Sequence, residues 1–228
     1  MKRMIYVIVP AYNETEVIAT TIKPLISKGY EVVIVNDGSP TDILGYVKDL
    51  RIHYLEHAIN LGQGAALQTG VQYAKKFRPD YIVHFDADGQ HNLDDVDRFI
   101  KILETEEVDI VLGSRFLNED TRQLVPWRRQ ILLRTARVIN WFFTGLFLTD
   151  AHNGFRVFRG SIIDRLPLTE NRMAHATEIL RLIKKNKIRY KEAPTLIYYT
   201  AYSTAKGQRA SNSLSILVDI FYHRFIKL

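Results

Sequence analysis

Continuous aliphatic runs, each closed by a polar or turn-forming cluster, recur through the first half of this chain. Residues 4–9 end at Pro10, residues 30–35 end at Asn36-Asp37-Gly38-Ser39-Pro40, and residues 81–85 end at Asp86-Ala87-Asp88-Gly89. A strand that is apolar at every position must be covered on both faces, as in the centre of a parallel sheet. Stretches of helical spacing lie between these runs. Residues 16–28 carry Val17, Ile18, Ile22, Leu25 and Ile26 ahead of Gly29, a C-cap signal. Residues 62–75 form a second predicted helix, entered through a glycine-rich loop, and residues 93–104 a third; residues 52–55 and 109–112 read as short strands. This alternation predicts an α/β fold of βαβ units, a mostly parallel, Rossmann-like sheet flanked by helices. Ligands on such sheets sit beyond the carboxyl ends of the strands, which is where the acids gather here.

After residue 115 the pattern changes. Residues 126–147 read as a helical insertion with arginines among apolar residues, 154–158 as a strand, and 174–185 as a helix. Residues 190–199 hold two short extended pieces broken at Pro194, and 200–210 form a polar, basic loop. Apolar residues at 214, 217, 221, 225 and 228 make a helical stripe. The predicted organisation is one catalytic-size domain over 1–210 and a C-terminal amphipathic helix over 211–228.

The net charge of +6 is unevenly divided. Residues 121–149 contain five arginines and no acid, and residues 179–228 hold ten Lys and Arg against Glu192 and Asp219, so the remaining body is acidic. Such asymmetry points to a nucleic acid, an anionic membrane surface or a phosphorylated substrate. With no cysteine, disulfide scaffolds, Cys-ligated zinc and thiol nucleophiles are excluded. No run reaches the roughly 18–20 apolar residues that span a bilayer. The opening run, followed directly by Pro10 and Asn13-Glu14, reads as a strand and not as a signal peptide.

Asp86 and Asp88, two apart at a strand end, can converge on one hard cation, Mg²⁺ or Mn²⁺, with Gln90 adding an oxygen and His91 a nitrogen. The bland alternative is a turn with solvated acids; the position at the end of a buried strand favours the metal. Asp37 either accepts hydrogen bonds from a base or ribose, or caps an Asx turn. Asn60-Leu61-Gly62-Gln63-Gly64 opens a helix, and its glycines serve either close ligand approach or packing. It lacks both the dinucleotide spacing and the Walker lysine.

Pro10-Ala11-Tyr12-Asn13-Glu14, Asn36-Asp37-Gly38-Ser39, Asn60-x-Gly62-x-Gly64, Asp86-Ala87-Asp88-Gly89-Gln90-His91, Gly113-Ser114-Arg115 and Asn153-Gly154-Phe155-Arg156 occur in that order. Together they resemble the inverting family-2 glycosyltransferases of GT-A fold over roughly residues 4–200. Within that family the chain is most similar to the dolichol-phosphate mannose synthase and bacterial polyprenyl-phosphate glycosyltransferase branch. The resemblance implies that Pro10, Ala11, Tyr12, Glu14, Asp37, Gly64, Asp86, Ala87 and Asp88 hold a nucleotide sugar. It also implies that Asp86, Asp88 and Gln90 bind the metal. Arg115 falls near the donor phosphates, and Arg128 or Arg129 near the acceptor phosphate. Asp150 and the Asn153–Arg156 turn, with Arg156 on the acceptor side, shape the sugar and acceptor pocket, and Lys206 and Arg209 lie where the branch carries a basic loop. Glu178 occupies the place of a general base in many relatives, although it also suits a helix N-terminal acid. His152 and His175 read as structural or pocket residues.

The expected activity is transfer of one hexose from a nucleotide sugar to a polyprenyl phosphate with inversion. UDP-glucose is the first expectation for the donor, with GDP-mannose and UDP-N-acetylhexosamine open. A lipid phosphate nucleophile is already anionic and needs cationic positioning more than a base. The alternatives are transfer to a sugar hydroxyl and, in another class, nucleic-acid binding, for which no binding module is present. The two basic, aromatic-rich segments suit a peripheral position at the cytoplasmic face of the membrane, contact with a small membrane partner protein, or a second copy of the chain.

Overall fold

The computed structural model describes residues 3–15, 17–117, 130, 137–138, 141–142, 144–150 and 153–197. Seven strands form one sheet: β1 (Ile5–Ala11), β2 (Glu31–Asn36), β3 (His53–Glu56), β4 (Tyr81–His84), β5 (Ile110–Ser114), β6 (Arg156–Arg159) and β7 (Tyr190–Pro194). The helices are α1 (Ile18–Ser27), α2 (Leu44–Val47), α3 (Gln63–Lys75), α4 (Asp94–Thr105) and α5 (His175–Lys185), with a 3-10 turn at Gly160–Arg165. The spatial order is β3-β2-β1-β4-β6-β5-β7.

The continuous apolar runs are explained by burial on both faces. Val7 and Val9 join Val32, Ile34 and Val83 against α1 and α4, whose Ile18, Ile22, Leu25, Phe99 and Leu103 complete one core. Tyr6 and Ile8 point the other way, with Val33, Val35 and Ile82, against Ala66, Leu67 and Val71 of α3 and Ile179 and Ile183 of α5. Period-2 alternation therefore feeds two cores, and every position of β1 except the half-buried Pro10 is buried.

The chain runs outward from β1 to β2 and β3, then returns to lay β4 on the other side of β1. That reversal between β1 and β4 is a topological switch point, where crevices open beyond the carboxyl ends of the strands. Among the described residues the named strands pair in parallel except β6, which runs antiparallel to both β4 and β5. Its reversed direction carries Asn153, Gly154 and Phe155, at its start, to the edge where β4 and β5 end. The strand expected over 154–158 is present, but it separates β4 from β5. The four-residue α2 and the 3-10 turn were not anticipated.

Candidate active site

A cavity of about 490 Å³ opens at the switch point. Pro10, Ala11, Tyr12 and Glu14 continue from β1 into its wall; Asp86, Ala87, Asp88 and Gln90 follow from β4; and Arg115 follows β5. Asp37, Arg156 and the loop through Arg172, Met173 and His175 close the remaining sides. The structure thus gathers most of the residues expected on the nucleotide sugar.

Asp86 is fixed by two donors. Gln63 Nε2 donates to Oδ1 at 2.9 Å, and His91 Nε2 lies 3.0 Å from Oδ2. A carboxylate below its ordinary pKa accepts only, so Nε2 of His91 carries the proton. His91 therefore orients Asp86 through Nε2, while its buried Nδ1 has no hydrogen-bond partner. Burial alone would raise the Asp86 pKa, but the His91 hydrogen bond and the charge of Arg156 hold it below the usual range. Asp88 behaves in the opposite way. Burial and the neighbouring Asp86 charge push its carboxyl up to about 6, although Gln90 N donates to Oδ1 at 3.0 Å. An ionised Asp86 that pushes up its neighbour Asp88 in a confined cavity marks a site short of positive charge. Among the described residues no cluster of three His, Cys, Asp or Glu is arranged to hold a metal. The donor set nevertheless fits Mg²⁺ or Mn²⁺, which take one or two carboxylates and fill their remaining positions with water and substrate phosphates.

Gly154 lies directly under this pair. A Cβ there would stand 2.7 Å from Asp86 Oδ2, so only glycine lets the β6 turn approach. Behind it, Arg156 is 2% exposed and its Nη1 has no hydrogen-bond partner, and Nδ2 of buried Asn153 is likewise unpartnered. Burial lowers the Arg156 pKa to about 10 against the opposing pull of Asp86 and Asp150, so it stays cationic at neutral pH. Unmet buried donors are costly and are expected where a ligand oxygen completes them.

His175 and His84 sit beside this arginine. Burial, reinforced by the Arg156 charge, lowers His175 to about 4, and the same causes lower His84 well below the ordinary imidazole value. Unfolded histidine takes up a proton near pH 6.5, whereas folded His175 does so only near 4. The folded state thus binds fewer protons in that window, and stability present above pH 6.5 falls as the pH drops towards 4. The melting temperature of the wild type is expected to decline from pH 7 to 5. His175→Gln should flatten part of that decline, worth about 2 kcal/mol at pH 5. Parallel melting curves of the two proteins check this.

Asp37 is committed mainly to the protein. Its Oδ1 accepts from Leu61 N at 3.0 Å and pairs with His57 Nδ1 at 2.8 Å, while Oδ2 accepts from Gly62 N at 2.7 Å. One lone pair of Oδ2 remains for a ligand donor. Asp37 therefore ties the end of β2 to the loop ahead of α3, and the local Asx turn is held instead by Asn36, whose Oδ1 accepts from Ser39 N at 3.0 Å.

Gly64, expected on the nucleotide, does not line the cavity. A Cβ on it would lie 2.0 Å from the Glu170 carbonyl oxygen, so its role is close packing of α3 against the 170–172 loop. Asp150 also lies behind the cavity wall. It grips Arg115 through Nε at 2.6 Å and Nη2 at 2.7 Å, and both groups are buried. Glu178 is buried as well. Its carboxylate accepts from Thr169 N and Oγ1 and from Glu170 N, and it does not reach the cavity. Its expected role as a base gives way to capping of this loop. Arg128, Arg129, His152, Lys206, Arg209 and the stripe over 214–228 lie outside the described residues. Asn153, Gly154 and Arg156 of the expected pocket turn do line the cavity, whereas Gln63 and Arg172 were not singled out, because no local spacing marks a side chain that reaches the cavity through tertiary packing.

The sheet order, the reversed sixth strand and the acid pair at the switch point define a GT-A fold. The structure of glucosyl-3-phosphoglycerate synthase from Mycobacterium tuberculosis, in complex with Mn²⁺, UDP and phosphoglyceric acid, matches over 97% of this chain and 78% of its own, with TM-score 0.66 and 18% identity. That likeness is one of fold. The chain belongs to glycosyl transferase family 2, whose model matches residues 6–167, and it is a family-2 glycosyltransferase. A UDP-N-acetylglucosamine–dolichyl-phosphate N-acetylglucosaminyltransferase from Methanococcus voltae is 30% identical over 96% of this chain and 94% of that protein. A polyprenol monophosphomannose synthase from Mycolicibacterium smegmatis is 28% identical over 72% of this chain and 64% of that protein.

Proposed function

We propose that the protein transfers a single sugar from a nucleotide sugar to a polyprenyl or dolichyl phosphate, with inversion, at the cytoplasmic face of the membrane. The observation that carries this reading is the contrast between Glu178 and the arginines. The expected base is sealed behind the cavity wall by amide donors, whereas Arg115, Arg156 and Arg172 line the cavity. A sugar hydroxyl needs a base to take its proton; a phosphate nucleophile needs cations that hold it in line. The relatives named above act on polyprenyl-type phosphates, in agreement with this acceptor.

In this reading Pro10, Ala11, Tyr12, Glu14 and the free lone pair of Asp37 hold the nucleoside, and Asp86, Asp88 and Gln90 hold Mg²⁺ or Mn²⁺. The bound cation supplies positive charge against the leaving diphosphate. Gln63 and His91 keep Asp86 in its rotamer. Arg156 Nη1 and Asn153 Nδ2 take an oxygen of the substrate, and Arg115, with Arg128 and Arg129, holds phosphate. Lys206 and Arg209 are assigned to the acceptor side, and the helix over 211–228 to the membrane, a small membrane partner or a second copy. The relatives' names span N-acetylglucosamine and mannose, so UDP-glucose, UDP-N-acetylglucosamine and GDP-mannose form the donor panel. The true donor, with Mn²⁺, is expected to raise the melting temperature most, since only the folded state binds it.

Glu178→Gln separates the two acceptor classes. It should lower stability by about 1–3 kcal/mol, because an amide nitrogen now faces backbone donors. Turnover below the melting temperature should stay within roughly threefold of wild type, since no proton is taken there. A collapse of kcat in a folded variant would establish a hydroxyl acceptor instead.

A further inference from the structure

We infer that the exposed face formed by Val138, Trp141, Phe142 and Phe147 seats the protein on an anionic lipid bilayer. This rests on the reading that the acceptor is a membrane lipid, and it names the surface that brings the cavity to that lipid. Residues 137, 138, 141, 142 and 144 are helical, and Gly145 N donates to Trp141 O at 2.8 Å, closing the turn. Positions 138, 141 and 142 share one side of such a helix. Phe142 is 81% exposed, Phe147 57%, Val138 56% and Trp141 50%. Trp141 meets Phe147 edge-on at 6.0 Å, so these rings form one patch rather than scattered apolar residues.

The rim of this patch is cationic. The Arg137 guanidinium lies over Phe147, 4.0 Å from the ring centre, and the Lys184 chain passes beside Gly145. On α5, Arg181, Lys184 and Lys185 are exposed, while the acid of the same helix, Glu178, is turned inward. Glu192 is likewise turned to the amides of Thr149 and Asp150. Aromatic side chains beside cations, with the described acids Glu178 and Glu192 turned inward, match a headgroup interface carrying negative charge. A second copy on the same patch would set these cations against one another.

The patch is also rigidly joined to the cavity. Leu146 and Leu148 are buried in the core, Thr149 Oγ1 bonds Ser114 Oγ at 2.6 Å, and Asp150 grips Arg115, a cavity residue. A bilayer held at 138–147 is therefore joined through 148–150 to Arg115 in the cavity wall.

The test compares the full-length wild type with the double variant Trp141→Ser, Phe142→Ser. Co-sedimentation is measured with phosphatidylcholine vesicles and with vesicles containing phosphatidylglycerol. Sugar transfer to a water-soluble, short-chain prenyl phosphate is assayed without vesicles. The wild type should prefer the anionic vesicles, and the variant should lose roughly tenfold or more of that binding with an unchanged melting temperature. Transfer to the soluble acceptor should be equal in the two proteins. Equal vesicle binding by wild type and variant overturns the assignment, as does a wild type that ignores anionic vesicles. A wild-type dimer that the variant dissolves, with vesicle binding intact, overturns it in favour of a second copy. If vesicle binding falls as expected but neither protein transfers sugar, the face stands and the acceptor reading fails.

Discussion

Asp88→Ala is expected to lower kcat for sugar transfer by at least about a thousandfold while leaving the fold as stable as the wild type, or more so. The two halves of this expectation have separate causes. Asp88 stands beside Asp86 in a confined cavity, and burial with that neighbouring charge holds its carboxyl near 6. In the absence of a cation this arrangement is a liability, because a like charge is kept close at neutral pH. Deleting the carboxylate relieves the repulsion and removes a single intramolecular hydrogen bond, from Gln90 N. Active-site groups commonly trade stability for function in this way. Loss of turnover should therefore come with an unchanged or raised melting temperature, and with loss of the stabilisation that Mn²⁺ gives the wild type. Calorimetry with and without Mn²⁺, beside a transfer assay, reads all three. A variant that unfolds, or one that still turns over, would remove Asp88 from the metal site.

Asp150→Ala should behave in the reverse sense, with a large fall in stability. The Arg115–Asp150 pair is bidentate and its side chains are only 8% and 1% exposed. Removing one partner of such a pair leaves a charge in a poorly solvated place and costs about 3–5 kcal/mol. For a chain of this length that is roughly 10 °C in melting temperature. Substituting both members by apolar residues of similar size, Arg115→Met with Asp150→Leu, should recover much of that stability. It should not recover activity, since Arg115 is a cavity-lining residue and the substitution removes its charge. Recovery of both would make the pair purely structural. A melting temperature unchanged by Asp150→Ala would contradict the buried-pair account.

The sequence carried the scaffold of this site further than its details. Continuous apolar runs became β1, β2 and β4 because burial on both faces leaves no room for polar residues, and that constraint is local. The Asp-x-Asp pair was legible for the same reason: its position follows from where β4 ends. The reversed direction of β6 was not legible, since pairing between β4 and β5 is a long-range choice with no local pattern. Side chains that fold back on their own scaffold were equally hidden. Glu178 has the sequence position of a base, yet it turns to the 169–170 amides. Asp150 looked like a pocket acid and instead holds Arg115. His91 has the spacing of a ligand but donates to Asp86. In each case the partner depended on how the loops fold back on one another, which no local spacing records.

The most direct test incubates the purified protein with Mn²⁺ or Mg²⁺, a polyprenyl phosphate and each radiolabelled nucleotide sugar of the panel in turn. Lipid-extractable label is then counted and the anomeric configuration of the product determined. The account predicts a polyprenyl-monophosphate sugar of inverted configuration from one preferred donor, formed only with the cation present. Absence of label in the lipid phase with every donor, under conditions where a nucleotide sugar demonstrably binds, would contradict it.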